Sequence, residues 1–318
     1  MRLYLSCLLS AAATIVIGLI ATRYIHSFWY FSPFYNAQTH FGLFAAFLAL
    51  LAFLLHRKLP VLLLVAAGLV LALYPVARIS QLADMATTDQ AAGKPTLRLM
   101  SFNVLGNNKE NGASIRDEIL ASNVDVAIIL EARPLESHLE ALTAVYPYRI
   151  GCHSVTEGCD LMILSRLPFT SQQIGALSDL RKERYMQVTV DVAGQSVNVV
   201  AAHLSKAWFD DYHATELWRL SRRLEKLEGP LVLAGDFNAS SLGADMGWFL
   251  RQTGLRRAPN EPATWPVEFV EAGLAIDHIY ARAPMRLSKL DRLTDNHGSN
   301  HFGLKAELII DQPPPPSQ

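Results

Sequence analysis

"PLVLAGDFNA", residues 230–239, sets a short apolar run against Gly-Asp-Phe-Asn, a combination rich in turn formers. A continuous apolar run stopped in this way reads as a buried strand opening onto a turn. The same arrangement recurs along the second part of the chain. "LRLMSFNV" (97–104) carries Asn103 near its end, "VDVAIILEA" (124–132) runs into Glu131, and "SVNVVAAHLS" (196–205) finishes at His203. "AIDHIYAR" (275–282) begins around Asp277, and His301 stands just before "GLKAELII" (303–310). "DLMILS" (160–165) and "YMQVTVDV" (185–192) read as further strands. Between them, "SIRDEILASN" (114–123) places Ile115, Ile119 and Leu120 on one helical face, and "ATELWRLSRRLEKLE" (214–228) does the same with Leu217, Leu220, Leu224 and Leu227. Strands alternating with helical patterns predict an α/β domain. No repeat of fixed period is present.

Ligand sites in α/β sheets gather beyond strand ends, so the polar residues at these ends predict a shared cleft. Its inventory is Asn103, Glu131, His203, Asp236, Asn238, Asp277 and His301: carboxylates, amides and two imidazoles, with no thiol. Hard cations such as Mg²⁺ or Mn²⁺ prefer oxygen ligands, which leaves the histidines for proton transfer or phosphate stabilisation. Each residue alone also has a structural reading. Glu131 could be a helix-start carboxylate, Asp236 and Asn238 turn formers, His203 a hydrogen-bonded core histidine, and Asp277 with His278 a strand-end ion pair.

The first part of the chain is of another kind. Of 28 basic and 29 acidic residues, only six and two fall within residues 1–95, leaving the remainder with about five net negative charges. An acidic domain is a poor match to long nucleic acid, whose non-specific binding depends on Lys and Arg. Residues 3–22 and 59–77 are uncharged apart from Arg78 just beyond, and each is long enough to cross a hydrocarbon core of roughly 30 Å as a helix. The apolar run 41–55 reaches that length when 37–40 are included. Three spans within 1–77 are the simplest reading, with a signal peptide followed by a helical hairpin as the alternative. Trp29, Tyr30, Phe31, Phe34 and Tyr35 suit a membrane–water interface.

Arg2 at the amino terminus and Arg57 with Lys58 in the second loop outnumber Arg23 in the first. The positive-inside rule then puts the C-terminal domain outside the cytoplasm, on the periplasmic or extracellular face of a bacterial-type plasma membrane. Cys152 and Cys159, in "GCHSVTEGCD", are the only cysteines beyond the membrane part. They could close a loop by a disulfide, which persists in an oxidising compartment, or remain two thiols. Residues 78–95 are small, polar and unpatterned and read as a linker, 96–311 as the α/β domain, and 312–318 ("QPPPPSQ") as a disordered proline-rich tail.

The order of "LMSFNVLG", "VDVAIILEA", "LMILSRLP", "VVAAHLS", "VLAGDFNA", "AIDHIY" and "GSNHFGLKAEL" resembles the endonuclease/exonuclease/phosphatase superfamily of deoxyribonuclease-I-like, metal-dependent phosphohydrolases, over residues 96–310. The resemblance implies a four-layered α/β sandwich of two packed mixed sheets flanked by helices, and an enzyme that hydrolyses phosphoester bonds as a phosphodiesterase, phosphatase or nuclease. Position by position it implies Glu131 as the principal metal carboxylate and Asn103 beside it, holding metal and phosphate. It implies Asp236 and Asn238 as the pair that positions water and phosphoryl oxygens, and His301 as the catalytic imidazole oriented by Asp277. His203 matches a second phosphate-facing histidine, and Arg184 an arginine that contacts phosphate. The family reads Ser-Asp-His where this chain reads Ser299-Asn300-His301, so Asn300 keeps an oxygen ligand for the metal but loses a charge. His297, without nitrogen or sulfur partners nearby, is not expected to bind zinc. Tethering to the bilayer suits a lipid-linked phosphoester, with nucleic acid the second substrate class and a non-catalytic binding or sensing module the alternative to an enzyme.

Overall fold

The computed structural model describes residues 1–311; the proline-rich stretch 312–318 lies outside them. Contacts divide the chain into two units. One comprises residues 1–81 with 206–211 and 239–248, the other 82–205, 212–238 and 249 onward.

The first unit holds α1 (Arg2–Ala21), the short α2 (Ser32–Asn36), α3 (Gln38–Leu55) and α4 (Val61–Ser80). Helices Arg2–Tyr24, Gln38–Leu55 and Val61–Ser80 are long and apolar enough to cross a membrane. The second starts at Gln38, so the fifteen-residue apolar run gains the length it lacked. Small residues let α3 and α4 approach closely: a Cβ on Gly42 would lie 2.8 Å from the Ala72 amide nitrogen, and one on Gly68 2.7 Å from that of Ala46. Leu63, Val70 and Leu73 instead point outward, as suits helices solvated by lipid. Within the same unit Asn36 Oδ1 accepts the Ser240 amide at 2.7 Å, and Arg23 donates to the Leu242 carbonyl at 3.1 Å.

Among the described residues, the second unit is built on eleven strands, β1 (Thr96–Asn103), β2 (Val126–Leu130), β3 (Tyr148–Gly151), β4 (Leu161–Ser165), β5 (Phe169–Gly175), β6 (Tyr185–Val192), β7 (Gln195–His203), β8 (Leu231–Asp236), β9 (Asp277–Arg282), β10 (Met285–Arg292) and β11 (Leu304–Ile310). They form a six-stranded sheet in the order β10-β11-β1-β2-β4-β3 and a five-stranded sheet in the order β5-β6-β7-β8-β9. Each sheet contains one parallel pair, β1/β2 and β7/β8, among antiparallel neighbours. The inner faces pack together through Leu99, Ile128, Leu130 and Ile163 of one sheet against Val188, Val199, Val232 and Ile279 of the other. On the outer face of the larger sheet, Met100, Ala127 and Met162 meet Ile115 and Ile119 of α5 (Gly112–Ala121) and Leu142 of α6 (Leu139–Thr143). With α7 (Tyr212–Leu224) burying Leu217, Leu220 and Leu224, two mixed sheets flanked by helices result, as the resemblance implies.

Residues 82–95 are not a free linker. Leu82 and Ala86 are buried, the amides of Asp84 and Ala86 donate to the carbonyls of Arg257 and Leu287, and Asp84 pairs with Arg286 at 2.7 Å. Their anchorage is mostly main-chain hydrogen bonding, which leaves no periodic side-chain pattern to read.

Candidate active site

Strand register gathers the predicted residues at one end of both sheets. Parallel β1 and β2 pair Asn103 with Leu130, so Glu131 follows beside the end of β1. Antiparallel β11 pairs Leu304 with Ser101, which brings the preceding Ser299, Asn300 and His301 to the same edge. In the other sheet, parallel β7 and β8 place His203 opposite Asp236, and antiparallel β9 places Asp277 opposite Asp236. Gly235 lets β8 lie this close: its φ is +148°, and a Cβ there would sit 1.9 Å from the Ala202 carbonyl oxygen.

Asp236 is the hub. Its carboxylate accepts from Asn103 Nδ2 at 3.0 Å, from Asn238 Nδ2 at 3.2 Å and from the Asn238 amide at 2.8 Å. His203 Nε2 and His301 Nε2 each stand 3.8 Å from Asp236 Oδ2. Burial first, and then the charge of Asp277, raise the pKa of Asp236 against the pull of the two imidazoles. His301 Nδ1 bonds Asp277 Oδ2 at 2.8 Å. Burial opposes a charged His301 ring, but Asp277, Asp236 and Glu131 overcome it and raise its pKa to about 9. The ring is therefore an imidazolium at neutral pH, turned by Asp277 so that Nε2 faces Asp236.

Backbone detail supports this arrangement. Glu131 and Asn238 sit at φ +54° and +48°, left-handed positions that recur at functional sites because the surroundings must hold them. Glu131 Oε2 accepts the Gly106 amide at 2.8 Å, and Oε1 lies 3.4 Å from Asn103 Nδ2. Ser299 Oγ donates to the Asn103 carbonyl at 2.7 Å and accepts the His301 amide at 3.1 Å, which ties the Ser-Asn-His turn to β1. Thr264 Oγ1 accepts the Asp277 amide at 3.3 Å. Asp277 and His278 are not partners: His278 Nδ1 bonds Glu261 at 2.8 Å. His297 lies in a hydrogen bond with Ser114 Oγ, 3.5 Å from Glu118.

The donor set fits a hard cation. Asp236 and Asp277 bring carboxylate oxygens within 4.8 Å of each other and of a His301 ring nitrogen, and with that ring protonated the oxygens are the atoms left for a cation. Among the described residues, the buried Oδ1 atoms of Asp277 and Asn300 lack a hydrogen-bond partner, which leaves two orphaned acceptors in an oxygen-rich site. Asn103 differs from the expectation of a metal ligand. Its Nδ2 faces the carboxylates while Oδ1 accepts the Leu105 amide at 3.1 Å, so it braces Glu131 and Asp236 as a donor.

Asp160 belongs to the site and was missed in the sequence. Register pairs Leu161 with Leu130, which sets Asp160 next to the end of β2, and its carbonyl accepts the Ala132 amide at 3.2 Å. Its carboxylate takes Arg184 Nε at 2.6 Å and lies 3.6 Å from His203 Nδ1. Burial works against its ionisation, yet His203 and Arg184 hold its pKa well below the usual carboxylate range. Arg184 is thus engaged by a carboxylate rather than presented alone to a phosphate. The available signal was position: Asp160 stands immediately before β4 as Glu131 stands immediately after β2.

Comparison with known proteins gives the family and the fold. Residues 100–301 match the profile of the Endonuclease/Exonuclease/phosphatase family. No curated protein matches the chain. Among solved structures, an endonuclease/exonuclease/phosphatase from Beutenbergia cavernae superposes with a TM-score of 0.52 at 20% identity, covering 68% of this chain and 72% of that one. D. rerio TDP2 complexed with a single-strand DNA product gives 0.56 at 16%, covering 67% and 98%. Sphingomyelinase C from Streptomyces griseocarneus gives 0.50 at 17%, covering 67% and 99%. At these identities the structures share the fold, and the profile match over most of the α/β unit shows that the chain belongs to the endonuclease/exonuclease/phosphatase family.

Proposed function

We propose that the chain is a membrane-anchored hydrolase of phosphoester bonds that uses Mg²⁺ or Mn²⁺. The observation that carries this reading is Asp236, buried between two imidazoles at 3.8 Å and bonded by Asn103 and Asn238. Glu131 and Asn300 would hold the cation, which when bound neutralises phosphate charge and polarises a phosphoryl oxygen. Asp236 accepts a proton from the attacking water, and its raised pKa makes it a stronger base than a surface carboxylate. His301, held charged by Asp277, donates to a phosphoryl oxygen, while His203, whose Nε2 also stands 3.8 Å from Asp236 Oδ2, donates to the departing oxygen. Asn238 Nδ2 gives its two hydrogens to the Leu204 carbonyl at 2.9 Å and to Asp236 at 3.2 Å, so it holds the Asp236 carboxylate in place for the attacking water.

Three apolar helices and a disulfide support a domain tethered on the outer side of a plasma membrane, where thiols oxidise. A tethered domain meets phosphoesters at the bilayer surface, so lipid-linked phosphoesters are the first substrate class and nucleic acid the second. Full-length protein in lipid nanodiscs, supplied with Mg²⁺, labelled phospholipids and labelled DNA, is expected to cleave the phospholipids. Glu131→Gln and His301→Ala are expected to abolish turnover while the domain still unfolds cooperatively; retained activity in either refutes the site. Cleavage of DNA alone would move the substrate class. Failure on generic activated phosphodiesters would favour a non-catalytic binding or sensing module.

A further inference from the structure

The loop between β3 and β4 is built as a bracket. Gly151, Cys152, His153 and Val155 all have positive φ, between +50° and +92°, a conformation that three residues carrying Cβ adopt only under restraint. Restraint comes from three directions. Arg149 donates to the carbonyls of Gly151 and Cys152, Glu183 accepts the amides of Glu157 and Gly158 at 3.1 and 3.2 Å, and a disulfide joins Cys152 to Cys159. Both cysteines are buried against the outer face of the larger sheet with Tyr146, Leu142 and Met162.

What this bracket holds is Asp160, the residue after Cys159. Glu183 and Arg184 are consecutive: the first grips the loop and the second grips the Asp160 carboxylate at 2.6 Å. The other Asp160 oxygen faces His203 Nδ1 at 3.6 Å, and His203 Nδ1 has no hydrogen-bond partner among the described residues. Asp160 therefore acts on His203 as the carboxylate charge nearest that nitrogen, at 3.6 Å, and the position of Asp160 depends on the loop. A disulfide stabilises a fold by restricting the unfolded chain, and less so for short loops; here the cysteines are only seven residues apart. Its larger effect falls on local geometry.

We infer that the Cys152–Cys159 disulfide is a positioning element of the active site, fixing Asp160 and through it His203 and Arg184, so that turnover requires the oxidised loop. This rests on the hydrolytic reading above and deepens it. The test uses full-length protein in detergent micelles with Mg²⁺ and an activated phosphodiester. It compares oxidised wild type, wild type reduced with a phosphine, Cys152→Ala/Cys159→Ala, Asp160→Asn and the combined variant. Reduction and the double alanine variant are expected to lower kcat by about 10- to 100-fold, as loss of groups that orient an active-site ligand does. KM and the melting temperature should move little, and Asp160→Asn should lower kcat with no further loss on reduction. The ring ¹H–¹⁵N signals of His203, read without turnover, should shift on reduction and on Asp160→Asn. An inactive oxidised protein would fail the hydrolytic reading, and the ring signals would still decide this one. Unchanged His203 signals in the reduced protein, or losses that add fully to that of Asp160→Asn, would overturn the inference.

Discussion

Replacing Asp277 by asparagine removes one charge from the centre of the site and keeps its shape. In the native protein Asp277 Oδ2 holds His301 Nδ1 at 2.8 Å, and the ring's pKa rises to about 9 although burial opposes it. At pH 7.5 such a ring is about 97% protonated, whereas at the ordinary histidine value of about 6.5 it is about 9% protonated, a loss of roughly tenfold in the charged form. An asparagine also accepts or donates with equal ease, so the ring is no longer held in one orientation. Loss of an oriented proton donor costs about 10²–10⁴ in rate, and the sum places the kcat of Asp277→Asn at least tenfold below wild type at neutral pH. The assay is kcat against pH between about 6 and 9.5 at saturating Mg²⁺, where the alkaline limb of the variant should move toward lower pH. A variant with the native kcat and an unmoved alkaline limb would refute the reasoning.

Three further outcomes follow from the same geometry. Gly235→Ala, whose Cβ would meet the Ala202 carbonyl at 1.9 Å, should destabilise the domain by about 1–3 kcal/mol in chemical denaturation and lower activity; native stability would show that β8 does not need a glycine there. Asn300→Asp adds a charge at a buried oxygen that has no hydrogen-bond partner, and should lower the Mg²⁺ concentration for half-saturation by roughly tenfold in calorimetry. An unchanged or weaker affinity would remove Asn300 from the metal site. For metal-free protein, the folded pKa of His301 lies above its unfolded value, so its contribution to stability is full below about pH 6.5 and lost as pH rises through about 9. Melting temperature should therefore fall across that window in wild type and less in Asp277→Asn, and equal slopes would contradict this.

Site residues were legible because each interrupts an apolar run: Glu131 after "VAIIL", Asp236 after "LVLAG" and His203 after "VVAA". Strand register, which makes neighbours of residues as distant as Asn103 and Asp236, is what the one-dimensional pattern lacks. The unread strands β3, β5 and β10 are edge strands, and β5 ("FTSQQIG") is largely exposed and polar. An edge strand bonds one neighbour and need not bury both faces, so its side chains carry a weak signal. Asp160 escaped notice because its partners, Arg184 and His203, come from other strands. The disulfide, left open between a bridge and two thiols, is formed. Asn103, expected to ligate metal, turns its amide nitrogen to the carboxylates because Leu105 occupies its oxygen.

The central claim is that water attacks phosphorus at this site with help from a divalent cation. Cleavage of a phosphodiester by the full-length protein in ¹⁸O-labelled water, read by mass spectrometry of both products, tests it most directly. The account predicts one ¹⁸O in the phosphate-bearing product with Mg²⁺ present, none in the released alcohol, and no product with chelator or in Glu131→Gln. Label in the alcohol, or equal cleavage without the metal, would contradict it.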